Sequence, residues 1–462
     1  MKINIGSNEI IHFIGIGGIG MSGLAQIMKN MGFSVQGSDI SVNKNTERLV
    51  KLGIKVNFSH NKKNLKKATM VVISSAIKKN NQELKESINR KLSIFKRGDM
   101  LANVVMLKKN IVVTGSHGKT TTTSLIANIL VKAGLDPTVI NGGIINSLKN
   151  TAQLGKGDWA VIEADESDGS FLKLPITYSI VTNVDKEHLD YYKNFNILKK
   201  SFTSFIDKTP SFGKSFLCID NKNLKSLLPT IKTNNFLTYG FDKKSNYQID
   251  NVKKNIKGSI FDLKISNSRK KIKNIKVNLL GNHNILNTTA SIAIALNLGI
   301  NIKIIKKALK KFSGIQRRFT KVFSIGKKDF YDDYAHHPTE IKAVIDGARH
   351  VYKKRKIICV FQPHRYSRVK LLKKEFSESF SLANEVVLCP IYAAGEKNDK
   401  KFNQNNFAKL ITKNSNVQVI NIENKENLKS FLKKNLYKDE IVICMGAGSI
   451  SNWIREIGNE LK

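Results

Sequence analysis

The stretch "IVVTGSHGKTTTTSL", residues 111–125, decides how the rest of the chain is read. Ile111 to Val113 are apolar and β-prone, Gly-Ser-His-Gly-Lys-Thr follows, and the next residues suit a helix. A strand that passes through a glycine loop into a helix is how a phosphate-binding loop is built, usually as G-x-x-x-x-G-K-[ST]. Between Gly115 and Gly118 this loop is two residues shorter than that pattern. Its working parts are nevertheless present. Gly115 and Gly118 allow backbone N–H groups to surround phosphate oxygens, and a helix N-terminus adds a favourable dipole. Lys119 can reach β- and γ-phosphates, and the Thr120 hydroxyl can ligate Mg2+. His117 stands where a small residue would serve, and its side chain is assigned no role.

Working outward, the chain has 462 residues, too many for one ordinary core, so two or three domains are expected. Its 41% hydrophobic and 24% charged residues are those of a globular protein. No apolar run is long enough to span a bilayer, and the start lacks a signal-peptide pattern, so no membrane insertion and a cytoplasmic location are expected. The four cysteines, at 218, 359, 389 and 444, form no C-x-x-C pair, which argues against a zinc ribbon or a disulfide framework. A net charge of +41 invites a nucleic-acid reading. The lysines are spread along the whole chain among Asn and Ile, with no Arg-rich helix or basic-aromatic platform, so no nucleic-acid partner is expected.

Strand–helix alternation occurs three times. "EIIHFIGI", "FSVQGSD" and "MVVISSA" are strand candidates of a first segment, and "LANVVMLKKN" leads out of it near residue 108. "DWAVIEAD", "YSIVTNV" and "SFLCID" continue a mostly parallel sheet after the quoted loop, and residues 241–280 read as a small antiparallel excursion. After Gly314 come "KDFYDDY", "KIICVFQP", "EVVLCP", "VQVIN" and "EIVICMGAG". The fold class is therefore α/β in three domains, 1–108, 109–313 and 314–462.

Four further groups of residues carry chemistry. Gly15, Gly17, Gly18 and Gly20 lie between a strand and a helix, and Asp39 follows the next strand; NAD, FAD or a UDP-sugar would each satisfy this dinucleotide fingerprint. The run Glu163, Asp165, Glu166, Asp168 is too acidic for a buried strand end. "VTNVDKEHLDYY" adds Asp185, Glu187, His188 and Asp190 at the end of another strand. Both groups would meet the phosphate loop beyond the strand C-termini, where a Mg2+ site is expected. The last segment carries Arg317 and Arg318, Asp332 and Asp333, and Arg365 and Arg368, whose guanidinium forks suit phosphates and carboxylates. His336 and His337 are adjacent, so they point in different directions and make a poor zinc pair. An NAD-dependent redox enzyme would use the first segment but leave the 115–121 loop idle, and a non-catalytic interaction protein would need neither.

Taken in order, "IHFIGIGGIGMSGLA", "GSD", "VVISSAI", "VTGSHGKTTTT", "EADESDGSFL", "VTNVDKEHLD", "GNHNILNTTAS", "GIQRRF", "DDYAHHPTEI", "FQPHRYSR" and "GAGSI" resemble the Mur ligase family over nearly the whole chain. In that family the short G-x-x-G-K-T-T loop is the normal form. The resemblance implies an N-terminal Rossmann-like UDP-substrate domain, a central P-loop ATPase domain and a C-terminal Rossmann-like domain that closes on them. It implies ATP-dependent joining of L-alanine to the lactyl carboxylate of UDP-N-acetylmuramate, the first amino-acid addition in peptidoglycan precursor synthesis, by a monomer or weak homodimer. It places Gly15, Gly17, Gly18, Gly20, Met21, Ser22, Asp39, Ser74 and Ser75 on the UDP-sugar. Gly115, Ser116, His117, Gly118, Lys119, Thr120 and Thr121 would hold the ATP phosphates, with Lys119 stabilising the transferring group. Thr120, Glu163 and His188 would line the Mg2+ site, and His283, Asn284 and Asn287 would contact adenine or its surroundings. Arg317 and Asp333 would reach the nucleotide; Tyr334, His336, Arg365 and Arg368 would face the amino-acid and muramoyl end. Lys119, His188 and Arg365 are the expected catalytic residues, with ATP and Mg2+ as cofactors. Lys186 is not given the metal-site role that a modified lysine has in related ligases.

Overall fold

A computed structural model describes residues 9–146, 150–266, 270–399 and 401–461. The chain divides into two compact units. One holds the residues up to Val252 with Phe261–Val277 and Leu286–Ser313; the other holds Lys253–Ile260, Asn278–Ile285 and Gly314–Lys462.

The first unit contains two sheets. β1 (Ile10–Ile14), β2 (Ser34–Ser38), β3 (Lys55–Asn57), β4 (Met70–Ile73) and β5 (Ser93–Lys96) form a parallel sheet in the order β3-β2-β1-β4-β5. The order reverses at β1, so the loop after β1 opens into the crevice where such sheets take ligands. Gly15 at φ +81 makes that turn before the helix Ile19–Asn30. The sequence reading missed β3 and β5, which are short and only partly buried.

The second sheet is built from β6 (Lys109–Thr114), β7 (Thr138–Ile145), β8 (Asn150–Gln153), β9 (Trp159–Glu163), β10 (Tyr178–Val181), β11 (Lys214–Cys218), β12 (Phe236–Gly240), β13 (Tyr247–Asn255), β14 (Gly258–Ile265) and β15 (Lys270–Val277). Their order is β15-β14-β13-β12-β11-β10-β6-β9-β7-β8. β6 lies between β10 and β9, parallel to both, so the quoted loop stands at this sheet's switch point. The expected small excursion at 241–280 instead extends the sheet: β13 joins β12 in parallel, burying Tyr247 and Ile249 while Lys253 and Asn255 face out. "LANVVMLKKN" is the end of a helix, Arg97–Val105, and the start of β6.

In the second unit β16 (Thr320–Ile325), β17 (Lys328–Asp333), β18 (Ile357–Phe361), β19 (Glu385–Leu388), β20 (Gln418–Asn421) and β21 (Ile441–Met445) run in the order β16-β17-β21-β18-β19-β20. Only β16 is antiparallel, and it was absent from the sequence reading because "TKVFSI" alternates too weakly. The central strands β18 and β21 are buried along their whole length, as continuous apolar runs in parallel sheets must be. Among the described residues no helix is long and apolar enough to cross a membrane.

Behind the first sheet lies a polar network. Glu83, fully buried on the helix Gln82–Asn89, accepts from Ser38 Oγ (2.5 Å) and Asn64 Nδ2 (2.6 Å), with His60 Nδ1 at 3.2 Å and His12 Nε2 at 3.5 Å. Burial would raise the Glu83 carboxyl, but hydrogen bonds from His12, Ser38 and Asn64 outweigh it and bring it down to about 2. A carboxyl depressed on folding stabilises the native state above its unfolded value near 4.5, and that stability is lost as pH falls from there toward 2. The shift corresponds to roughly 3 kcal/mol. Urea unfolding of the wild type and Glu83→Gln is expected to show a clear wild-type advantage at pH 7 that shrinks steadily below pH 4.5.

Candidate functional site

The phosphate loop is held from both flanking strands. Gly115 takes φ +129, and a Cβ there would overlap Thr182 Oγ1 at the end of β10. Asn183 Oδ1 accepts from the His117 N–H (2.8 Å), and Thr182 Oγ1 donates to the His117 carbonyl (2.6 Å). The His117 ring, given no role from sequence, pairs through Nε2 with Asp185 Oδ2 at 3.1 Å. Gly118, at φ +82, caps the helix Lys119–Lys132. A Cβ at Gly118 would lie 2.6 Å from Asn287 Oδ1, so Asn287 leans on the phosphate loop itself. Thr121 is buried in the first turn of that helix.

Lys119 is the centre of charge. Its Nζ donates to Gly115 O (2.6 Å), Ser116 O (3.2 Å) and Glu166 Oε1 (2.9 Å), with Glu166 Oε2 at 2.8 Å. Burial would lower the Lys119 ammonium, but Glu166 and then Asp165 outweigh it and hold it protonated. Glu166 is 1% exposed, and burial raises its carboxyl against the pull of Lys119. Sequence reasoning placed Glu166 in an acidic run without singling it out as the partner of Lys119.

Two sets of candidate metal ligands adjoin this lysine. Thr120 Oγ1 donates to Glu163 Oε1 at 3.0 Å, and the Gly142 N–H donates to Glu163 Oε2 at 2.6 Å. His188, at φ 55 before a short helix, places Nε2 at 3.6 Å from Glu166 Oε1 and 3.8 Å from Glu187 Oε2. Ligand atoms of Glu166, Glu187 and His188 lie within 4.8 Å of one another. The structure thus brings Thr120 to Glu163, and His188 to Glu166 and Glu187. The Asp190 side chain lies outside the described ones.

At the first sheet, Asp39 Oδ2 accepts from the Gly17 N–H at 2.8 Å, and a Cβ at Gly17 would meet the same oxygen at the same distance. A Cβ at Gly15 would stand 3.0 Å from Ser74 Cβ. Ser75 is exposed beside it, and Gly18 is the residue before the helix. Met21 and Ser22 point inward: both are buried, and Ser22 Oγ donates to Ile19 O and accepts from Arg48 Nη2.

In the second unit, Arg317 takes φ 59, donates to Gly446 O at 2.7 Å and lies 4.7 Å from the Tyr334 ring centre. Asp333 is buried, accepts from the Phe319 and Ala335 N–H groups, and is pushed up to about 6 by burial. His336 sets its ring edge against Tyr334 and against His364, and Arg368 Nη1 is 3.2 Å from His364 Nδ1. Arg365, at φ 70, donates from Nε to Glu396 Oε1 at 2.8 Å. His337 does separate work as a helix cap, accepting from the Thr339 N–H. His283 is half-buried, and its imidazole is lowered to about 4, first by burial and then by Arg318. Asn284 donates to Leu280 O. His364 and Glu396 had no sequence signal beyond their neighbours.

Three family models match the chain in succession: the Mur ligase family catalytic domain over 10–125, the Mur ligase middle domain over 113–295, and the Mur ligase glutamate ligase domain over 317–448. A Pelagibacter ubique protein named UDP-N-acetylmuramate–L-alanine ligase is 59% identical over 460 residues, 99% of each chain. The chain belongs to the Mur ligase family. A Rickettsia felis protein of the same name is 44% identical, covering 98% of this chain and 96% of its own. The crystal structure of UDP-N-acetylmuramate-alanine ligase from Thermotoga maritima superposes with a TM-score of 0.82 at 28% identity, covering 98% of both chains. A murein peptide ligase from Psychrobacter arcticus shares the fold at TM-score 0.73 and 22% identity, again over 98% of both. The α/β, three-domain Mur ligase architecture with mostly parallel sheets therefore holds for this chain.

Gly142 offers a test of the Glu163 position. A Cβ there would sit 2.7 and 2.8 Å from the two Glu163 oxygens, closer than any side chain tolerates. Gly142→Ala is expected to lower nucleotide turnover at least about tenfold by displacing Glu163, a loss typical of disturbed charge stabilisation. Melting temperature measured alongside should change little, because the new methyl meets a side chain rather than the backbone.

Proposed function

We propose that this protein joins L-alanine to the carboxylate of UDP-N-acetylmuramate at the expense of ATP, the first amino-acid addition in peptidoglycan precursor synthesis. The observation that carries the reading is full-length identity of 59% to a ligase of that name, together with an intact Lys119–Thr120–Glu163 constellation at the sheet's switch point.

A carboxylate is a poor electrophile, so the γ-phosphoryl group is first moved onto a carboxylate oxygen, making an acyl phosphate and ADP. Lys119 supplies fixed positive charge to the transferring group, and N–H groups of the 115–118 loop orient the phosphates. The L-alanine amine, deprotonated, then attacks the acyl carbon, the amide bond forms, and phosphate leaves. Arg365, Arg368, Tyr334 and His336 are assigned to the amino-acid and muramoyl end, Arg317 and Asp333 to the nucleotide, and His283, Asn284 and Asn287 to adenine or its surroundings. The Gly15–Gly20 turn with Asp39, Ser74 and Ser75 is assigned to the UDP-sugar. Mg2+ suits the oxygen donors of Thr120 and Glu163, which already converge at 3.0 Å beside the phosphate loop. Held there, it would neutralise phosphate charge; His188, which the structure sets beside Glu166 and Glu187, is assigned to the same metal region. Domain limits at 1–108, 109–313 and 314–462, cytoplasmic location and a monomer or weak homodimer belong to the same reading.

The test is phosphate release with L-Ala, Gly, L-Ser or a murein tripeptide, each with and without UDP-N-acetylmuramate. Release is expected only with both UDP-N-acetylmuramate and L-alanine present; release driven by the tripeptide instead would reassign the acceptor. Lys119→Ala is expected to abolish turnover while UDP-N-acetylmuramate still binds, and loss of that binding would overturn the division of roles.

A further inference from the structure

Arg97 lies between two regions that the proposed reaction must connect, and neither the motifs nor the family resemblance singled it out. It opens the helix Arg97–Val105. On one side its side chain lies against the helix that follows the glycine turn: a Cβ at Gly20 would stand 3.2 Å from both Arg97 Cδ and Nη1. On the other side Nη2 faces Asp165 Oδ2 at 3.7 Å and Asp168 Oδ2 at 4.0 Å. Asp165 is two residues beyond Glu163 and adjoins Glu166, which grips Lys119. The backbone is fixed as well, since a Cβ at Gly98 would lie 2.5 Å from Ser170 Cβ.

The aspartates balance the charge of Arg97 without filling its donors. A guanidinium has five N–H groups, and among the described residues none of them has an acceptor within hydrogen-bond length. Each aspartate already accepts from its own turn, Asp165 from the Ser167 N–H and Asp168 from the Ser170 N–H, both at 3.0 Å. Arg97 is only 18% exposed, so water reaches it on a narrow front. A mostly covered, rigidly based guanidinium with open donors is a receptor for a planar or tetrahedral oxyanion.

We infer that Arg97 binds the carboxylate of the UDP-N-acetylmuramate substrate and holds it toward the phosphate loop for phosphorylation, an assignment that rests on the function proposed above. The sugar nucleotide has two anionic parts. Its diphosphate belongs at the glycine turn and the helix N-terminus after it. Arg97 touches Gly20 in the first turn of that helix and faces Asp165 and Asp168, which flank the Glu166 that grips Lys119, so a carboxylate on its fork would lie between the diphosphate end and the phosphate loop.

The experiment compares wild type, Arg97→Ala and Arg97→Lys in steady-state ligation, and measures binding of UDP-N-acetylmuramate, UDP-N-acetylglucosamine and UDP, the last two lacking the carboxylate. Arg97→Ala is expected to weaken UDP-N-acetylmuramate about tenfold to a hundredfold, the range for a charge-assisted bidentate contact. Binding of the two ligands without the carboxylate, and the KM for ATP, should be unchanged. Arg97→Lys, which keeps the charge but not the fork, should fall between. Equal weakening of all three uridine ligands would move Arg97 to the diphosphate and overturn the inference. So would unchanged binding with a lowered melting temperature, which would make it a strut. If Arg97→Ala fails to fold, the Lys variant carries the same comparison. A wild type without UDP-N-acetylmuramate-dependent phosphate release would instead strike at the underlying function.

Discussion

The structure of the first unit is organised around one ammonium group. Lys119 is brought to the end of a buried strand, β6, where an uncompensated charge would be costly. Two loop carbonyls and the Glu166 carboxylate surround it, and Glu166 comes from the loop after the neighbouring strand β9. A buried pair of this kind is a poor source of net stability, because removing both charges from water offsets most of their attraction. What the arrangement achieves is to hold a cation in one place at the head of the loop.

That requirement explains the glycines around the loop better than flexibility does. Residue 115 needs a bare Cα because Thr182 occupies the space beside it, and residue 118 because Asn287 does. Residue 142 must be bare to admit the Glu163 carboxylate. Each is a close approach between segments distant in sequence, and each draws a polar side chain to within reach of the phosphate loop. The first sheet repeats the idea: Gly17 lets Asp39 come to its N–H, while the Glu83 network behind the sheet holds Ser38, the residue just before Asp39.

Much of this was legible beforehand. The phosphate loop, the glycine turn after β1, the acidic end of β9 and the third strand–helix series all stand where periodicity and turn chemistry put them. Elements with weak patterns escaped. β3 and β5 are short and half-exposed, β16 is an edge strand, and β13 to β15 extend a sheet instead of forming an appendage. Candidate site residues recognisable by motif, such as Lys119 and Glu163, could be named from sequence. Glu166, Glu396 and Arg97 belong to ordinary-looking charge runs and were not given partners.

By itself the sequence determined where the strongly patterned strands, turns and helices lie and which family the chain joins, because hydrophobic period and glycine placement are local properties. Only the tertiary structure decided which charges meet. The chain has 77 basic and 36 acidic side chains, and nothing local says that Lys119 meets Glu166, His117 meets Asp185, or Arg97 faces Asp165 and Asp168. The first two pairings follow from sheet order: β10, β6 and β9 lie side by side, so loops more than 40 residues apart in the chain end at one edge, whereas Arg97 comes in from the helix after β5 of the other sheet.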